Sequence, residues 1–267
     1  MTLRTHVLAI VAASAAMAIG AGSHLPLAAR GAGAPQGRGG GPPPQQTPRD
    51  AAPIDLTGYW VSVVNEDWRW RMVTPPKGDY ASVPLNAEAR KVADAWDPSQ
   101  DGRCDAYGAA GVMRIPTRLN ITWESPTTLK IDIDAGQQAR RLIFDPTQKP
   151  TGARTLQGHS VAEWERPGGG RGGGRGGGAA PPPGGSAKVV TTNMRGGWLR
   201  KNGVPYSENA VLTEHFDRFA APNGDEWLVV TSIVSDPMYL TQDFVTSTHF
   251  KKEADGSKFS PTPCRAG

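Results

Sequence analysis

The chain has only two cysteines, no apolar run of membrane-spanning length, no two histidines at metal-ligand spacing, and little helical periodicity in its second half. Each shortage excludes something. Two cysteines without neighbouring histidines cannot by themselves build a zinc site. The apolar stretch from Val7 to Ile19 falls short of the roughly 20 residues that a spanning helix needs. No serine sits in a nucleophile elbow, and no phosphate-binding lysine follows a glycine-rich loop. The glycine run near residue 170 has no preceding βαβ unit, so it is no dinucleotide site. No metal and no cofactor are expected.

What is present begins with an export pattern. Arg4 precedes the short apolar stretch, and small residues follow it. Residues 1–22 therefore read as a cleavable signal, and the mature chain as periplasmic or secreted, without membrane insertion. Two low-complexity stretches come next, a Gly/Pro-rich linker over 23–54 and a Gly/Arg/Pro insert over 167–187, both read as disordered. Setting aside residues 1–54 and the insert leaves roughly 190 residues, enough for one domain over 55–267 with a substantial core.

Charge follows the same division. Arg4, Arg30, Arg38 and Arg49 against Asp50, together with Arg171 and Arg175, outweigh the chain's net charge of +4. The folded part is thus slightly acidic, and the basic balance says little about its partner. Two arginines in the insert behind an export signal do not make a nucleic-acid site. In an oxidising compartment, Cys104 and Cys264 are expected to pair. Their bond would close a loop of roughly 160 residues, which the chain-entropy argument values at about 5 kcal/mol.

From Arg118 to Lys251 the chain alternates. Leu119, Ile121 and Trp123 face one way, and Leu129, Ile131 and Ile133 do so against Lys130 and Asp132. Segments 160–165, 188–194, 210–219, 226–234 and 244–252 continue the pattern between turns such as Pro222-Asn223-Gly224-Asp225, and 57–64 adds a first strand. Consecutive Trp227, Leu228, Val229 and Val230 predict a strand buried on both sides. The strand-like flanks of the insert make it an enlarged hairpin loop inside the domain. One short amphipathic helix is expected in PLNAEARKVADAWDP, capped by Asn86, with Leu85, Ala89, Val92, Ala93 and Trp96 on one face. Trp68 to Arg71 would alternate if extended. The stretch 197–207, with Arg200, Lys201 and Tyr206, reads as a long loop suited to a lid or as an ordinary solvated one.

The strand 210–219 holds the sharpest chemical feature. Turning Leu212 and Phe216 inward carries Glu214 and Arg218 inside, where they must pair with each other or with a ligand. That pair is either structural or a polar anchor in a cavity. His249 can face either way.

The opening Gly58-x-Trp60 resembles that of lipocalins, in which the tryptophan closes the base of an eight-stranded barrel. The succession TGYW, NAEARKVADAWDP, CDAYGAAGVMRIP, LQGHSVAEWE, VLTEHFDR and SDPMYL resembles a group of uncharacterised secreted bacterial proteins over about residues 55–252. In that group the strand ending in Trp-Glu turns tightly into the next, so the insert here is a departure. The resemblance implies a single lipocalin-like (calycin-like) β-barrel and carries over no catalytic residue.

The expected fold class is all-β, one antiparallel barrel of roughly eight strands with one short helix. Its expected function is that of an exported, non-catalytic binding protein holding a small, mostly apolar molecule in the barrel interior. Trp123, Trp164, Phe216 and Trp227 are candidate walls, and Glu214, Arg218 and His249 candidate polar contacts. Two alternatives compete: a cell-envelope interaction module with a protein partner, and a barrel isomerase or cyclase using Glu214 or His249 as acid/base.

Overall fold

A computed structural model describes residues 46–167 and 184–266. The expected export signal over 1–22, most of the expected linker and residues 168–183 of the insert lie outside them. In chain order the strands are β1 (Gly58–Val63), β2 (Arg118–Ser125), β3 (Thr128–Ile133), β4 (Ala135–Gly136), β5 (Gln138–Ile143) and β6 (His159–Glu165). They continue with β7 (Ser186–Thr192), β8 (Gly197–Arg200), β9 (Val204–Tyr206), β10 (Val211–Ala220), β11 (Glu226–Ser235), β12 (Phe244–Glu253) and β13 (Thr262–Pro263). Among the described residues the α-helices are α1 (Trp68–Arg71), α2 (Ala87–Asp94) and α3 (Ala109–Val112).

Nine strands close a barrel in the order β1-β12-β11-β10-β7-β6-β5-β3-β2. Closure follows from alternation, because every second side chain must find a common interior. Leu119 stands opposite Ile133 and Ile121 opposite Ile131, while Leu228 faces Phe250 across β11 and β12. All six are buried, and fully burying such a side chain is worth roughly 1.5–3 kcal/mol. Trp60 is also buried, its indole N–H donating to the Leu56 carbonyl at 3.0 Å.

The ninth strand, β5, is the one that alternation does not reveal. It reads QARRLI, and Arg140 occupies an inward position opposite Ile131. The barrel is also not wholly antiparallel. β5 runs parallel to β6, and they share only two residue pairs, Leu142 with Ser160 and Ile143 with Val161. β10 and β11 share ten. β6 and β7 pair antiparallel, so the flanks of the insert form a hairpin.

The two ends of the barrel differ. At the end where β10 begins and β11 finishes, α2, α3 and the β8–β9 hairpin lay down a second core that includes Leu85, Ala89, Leu199, Tyr206, Leu212 and Phe244. Asn86 caps α2 by accepting from the Ala89 N–H at 2.9 Å. Val92, placed by helical spacing on the packed face, is exposed instead. Residues 197–207 are a mostly buried hairpin rather than a loop, with Gly203 (φ 80°) turning against Trp96. Trp68 to Arg71 form a helical turn, not a strand, entered through Asp67 in the left-handed region. β11 is buried on one side, and Trp227, Val229, Thr231 and Ile233 on its outer side are only half-buried. The Cys104–Cys264 disulfide, with Cα atoms 5.0 Å apart, ties the C-terminal segment to the residues before α3.

At the other end, residues 46–54 pack onto the barrel as a strap although they read as linker. The Arg49 N–H donates to the Pro126 carbonyl at 3.1 Å, and the Trp164 indole N–H donates to the Pro48 carbonyl at 2.8 Å. Among the described residues no helix is long and apolar enough to cross a membrane.

Candidate functional site

The barrel interior is occupied by its own side chains. Trp60, Leu119, Ile121, Leu129, Ile131, Ile133, Leu142, Phe216 and Phe250 are each buried to at least 99 %. Glu214 and Arg140 stand among them with no exposed side-chain surface. Leu212 and Phe216 do turn inward and take Glu214 with them, as alternation requires. The partner of Glu214, however, is Arg140 rather than Arg218. The guanidinium grips both carboxylate oxygens, Nη1 donating to Oε1 at 2.9 Å and Nη2 to Oε2. Nη2 also reaches Thr191 Oγ1 at 3.4 Å, and that hydroxyl lies 2.8 Å from Ser160 Oγ. A bidentate fork with a hydroxyl shell is the arrangement in which two charges tolerate a dry interior.

Arg218 lies nearer the strap end, paired with Glu226 from β11. Lys252 from β12 joins the same carboxylate at 3.0 Å, and its ammonium stands 5.4 Å from the Trp60 ring centroid. Hydrogen bonding from Lys252, then from Arg218, holds the Glu226 carboxyl below the usual carboxylate range. Trp227 and His249 alternate with the inward Leu228 and Phe250, which places them on the outside. His249 Nδ1 lies 3.2 Å from Glu66 Oε2. The sequence-derived set is thus divided, with Glu214 and Phe216 inside, Arg218 at one end, and Trp227 and His249 on the outer wall.

The remaining two, Trp123 and Trp164, come together at the seam between β5 and β6. Beyond Ile143 the chain leaves the sheet, and its next residue, Phe144, donates its backbone N–H to Thr127 at 2.8 Å. Phe144 stacks on Trp164 with ring centroids 4.7 Å apart and 27° between planes. Trp123 completes the cluster, 5.5 Å from Phe144 and 6.4 Å from Trp164. A register shift between Trp123 and Ser125 accompanies the end of β2.

Over the Phe144 and Trp164 rings opens a cavity of about 440 Å³, with Trp123 behind them and not in its lining. Phe144, Ala162 and Trp164 line it from the barrel, Val161 and Val190 from the outer wall, and Pro48 and Ala51 from the strap. Lys188 and Glu163, which also line it, pair at 3.3 Å. Its volume and apolar lining suit a small molecule, with few polar groups to orient one. Phe144, Pro48 and Ala51 were not candidates from the sequence. The run RRLIF hides Phe144 behind two arginines, and the strap residues sit in low-complexity sequence.

No family model matches the chain, and no curated protein matches it.

Proposed function

We propose that this chain is an exported, non-catalytic binding protein that holds one small, mostly apolar ligand, and that the ligand sits in the seam cavity rather than on the barrel axis. The observation that carries the reading is the cavity of about 440 Å³ over the stacked Phe144 and Trp164 rings. That volume lies within the roughly 300–1,000 Å³ of small-molecule sites. Phe144 and Trp164 offer aromatic faces, aliphatic side chains and prolines most of the remaining wall, and the Lys188–Glu163 pair a polar rim. The disulfide fits an oxidising compartment, to which an export signal over residues 1–22 would deliver the chain. The lipocalin-like opening at Gly58 and Trp60 accords with a closed barrel only, since the interior expected to hold the ligand is filled by side chains such as Trp60 and Phe216. Against acid/base chemistry stands the engagement of both Glu214 oxygens by Arg140.

The test uses the neutral probe N-phenyl-1-naphthylamine and a variant that fills the cavity without touching the core. Val190 lies on the outer face of β7 and lines the cavity, so Val190→Lys should block it while leaving the fold intact. The wild-type chain is expected to bind one probe saturably and to quench tryptophan fluorescence, and V190K to lose at least tenfold in affinity. Equal binding by both proteins, or none by the wild type, would refute the site.

A further inference from the structure

The capped end of the barrel holds a concentration of buried positive charge that the apolar-ligand reading does not use. Arg71 ends α1, Arg114 follows α3, and Arg200 ends β8, three segments far apart in sequence. They meet around a small cavity of about 20 Å³, which Trp70 and Lys201 also line. Arg71, Arg114 and Arg200 are exposed by only 3, 6 and 5 %.

Carboxylates answer part of this charge. Arg71 bonds Glu66 through Nη1 and donates from Nε to the Arg114 carbonyl at 2.8 Å. Arg114 Nη2 donates to Asp67 Oδ2 at 2.7 Å. Arg71 Nη2, Arg114 Nη1 and all three nitrogens of Arg200 have no acceptor among the described residues. Three buried guanidinium groups therefore face two bonded carboxylates. Arg200 has no hydrogen-bond acceptor among the described residues; the face of Trp70 lies 5.0 Å from its Cζ, and Asp67 and Asp79 attract it without bonding it. A desolvated cation–π contact is worth about 2 kcal/mol or somewhat more, against several kcal/mol needed to strip an ion of water. Burial, and then the Arg114 charge, pulls the Arg200 guanidinium down to about 10. An arginine nonetheless stays charged in a protein, so its donors require acceptors.

We propose that this cluster is an anion site, in which Arg200, with the free donors of Arg71 and Arg114, closes on one small anionic atom. A cavity of about 20 Å³ has room for about one water-sized guest. The guest is thus a halide ion, or a single oxygen of a carboxylate or phosphoryl group whose remainder stays beside Lys201. Forked donors from three directions match either form, since both present several lone pairs to one point.

The test is chloride-35 line broadening on the full chain, with sodium chloride as ligand and sodium phosphate or sodium acetate as competitors. The expected result is a saturable excess linewidth of one site per chain, lost at least tenfold in Arg200→Met. Arg200→Lys, which keeps the charge but removes the fork, should also weaken the site severalfold, and it decides the matter if R200M does not fold. Displacement of chloride by phosphate or acetate identifies an oxyanion site, and indifference to both identifies a halide site. A wild-type chain with no saturable component, whose cavity holds water only, overturns the proposal. So does a component that persists unchanged in the folded variants.

Discussion

The Arg140–Glu214 pair offers the most direct test of how this barrel is held together. Both side chains lie wholly inside, each supplying the other's main partner. Replacing Arg140 by methionine keeps much of the volume but strands a carboxylate in an apolar interior. Replacing Glu214 by leucine strands the guanidinium instead. Breaking a buried pair from one side costs about 3–5 kcal/mol, against a total stability of about 5–15 kcal/mol for a domain. The double variant R140M/E214L leaves no charge behind, and only the Thr191 and Ser160 hydroxyls remain, bonded to each other at 2.8 Å. It should lie within about 1 kcal/mol of the wild type or above it, because apolar replacement of a buried pair is often neutral or stabilising. Urea unfolding of the oxidised proteins, with the denaturant slope checked for constancy, measures all four states. The expected coupling is at least about 3 kcal/mol. Single variants that each cost under about 1 kcal/mol, or a double variant that costs their sum, would refute the reasoning.

Two further outcomes are expected. Opening the Cys104–Cys264 bond, whose ends lie 160 residues apart, should lower stability by up to about 5 kcal/mol in the chain-entropy argument; C104S/C264S should show the same loss in thermal melts, and reductant should then have no further effect. Because Lys252 and Arg218 hold the folded Glu226 carboxyl below its unfolded value, its contribution is present above the unfolded pKa and disappears as pH falls through the folded one. Glu226→Gln should therefore melt below the wild type at pH 7, with the gap narrowing as pH falls below the usual carboxylate range; a gap independent of pH would contradict this.

The strands legible in the sequence are those whose inward positions are all apolar or nearly so. Leu119, Ile121, Ile131 and Ile133 announce β2 and β3 through period alone. β5 escapes because Arg140 stands where the pattern demands an apolar side chain, and its partner lies 74 residues away in sequence. The inward turn of Glu214 was legible from Leu212 and Phe216, but no local signal could choose Arg140 over Arg218. Trp123 and Trp164 were legible as apolar walls, whereas their meeting at the seam depends on where β5 stops, which is a matter of tertiary pairing. The polar run GWLRKNG looked like a surface loop for the same reason that β5 looked like none. Its arginine is buried by neighbours, α1 among them, that sequence order does not bring near.

A ring of strands protects its members from one another's copies, since no flank is left for a foreign strand to join. Here the protection rests on little. Among the described residues, β6 past Val161 has no strand beside it on the β5 side, and what covers that flank is a strap anchored through Pro48, Arg49 and Ala51. Trimming the chain back to Asp55 would leave a bare template beside exposed aromatic rings, and the shortened chain would become a seed for aggregation.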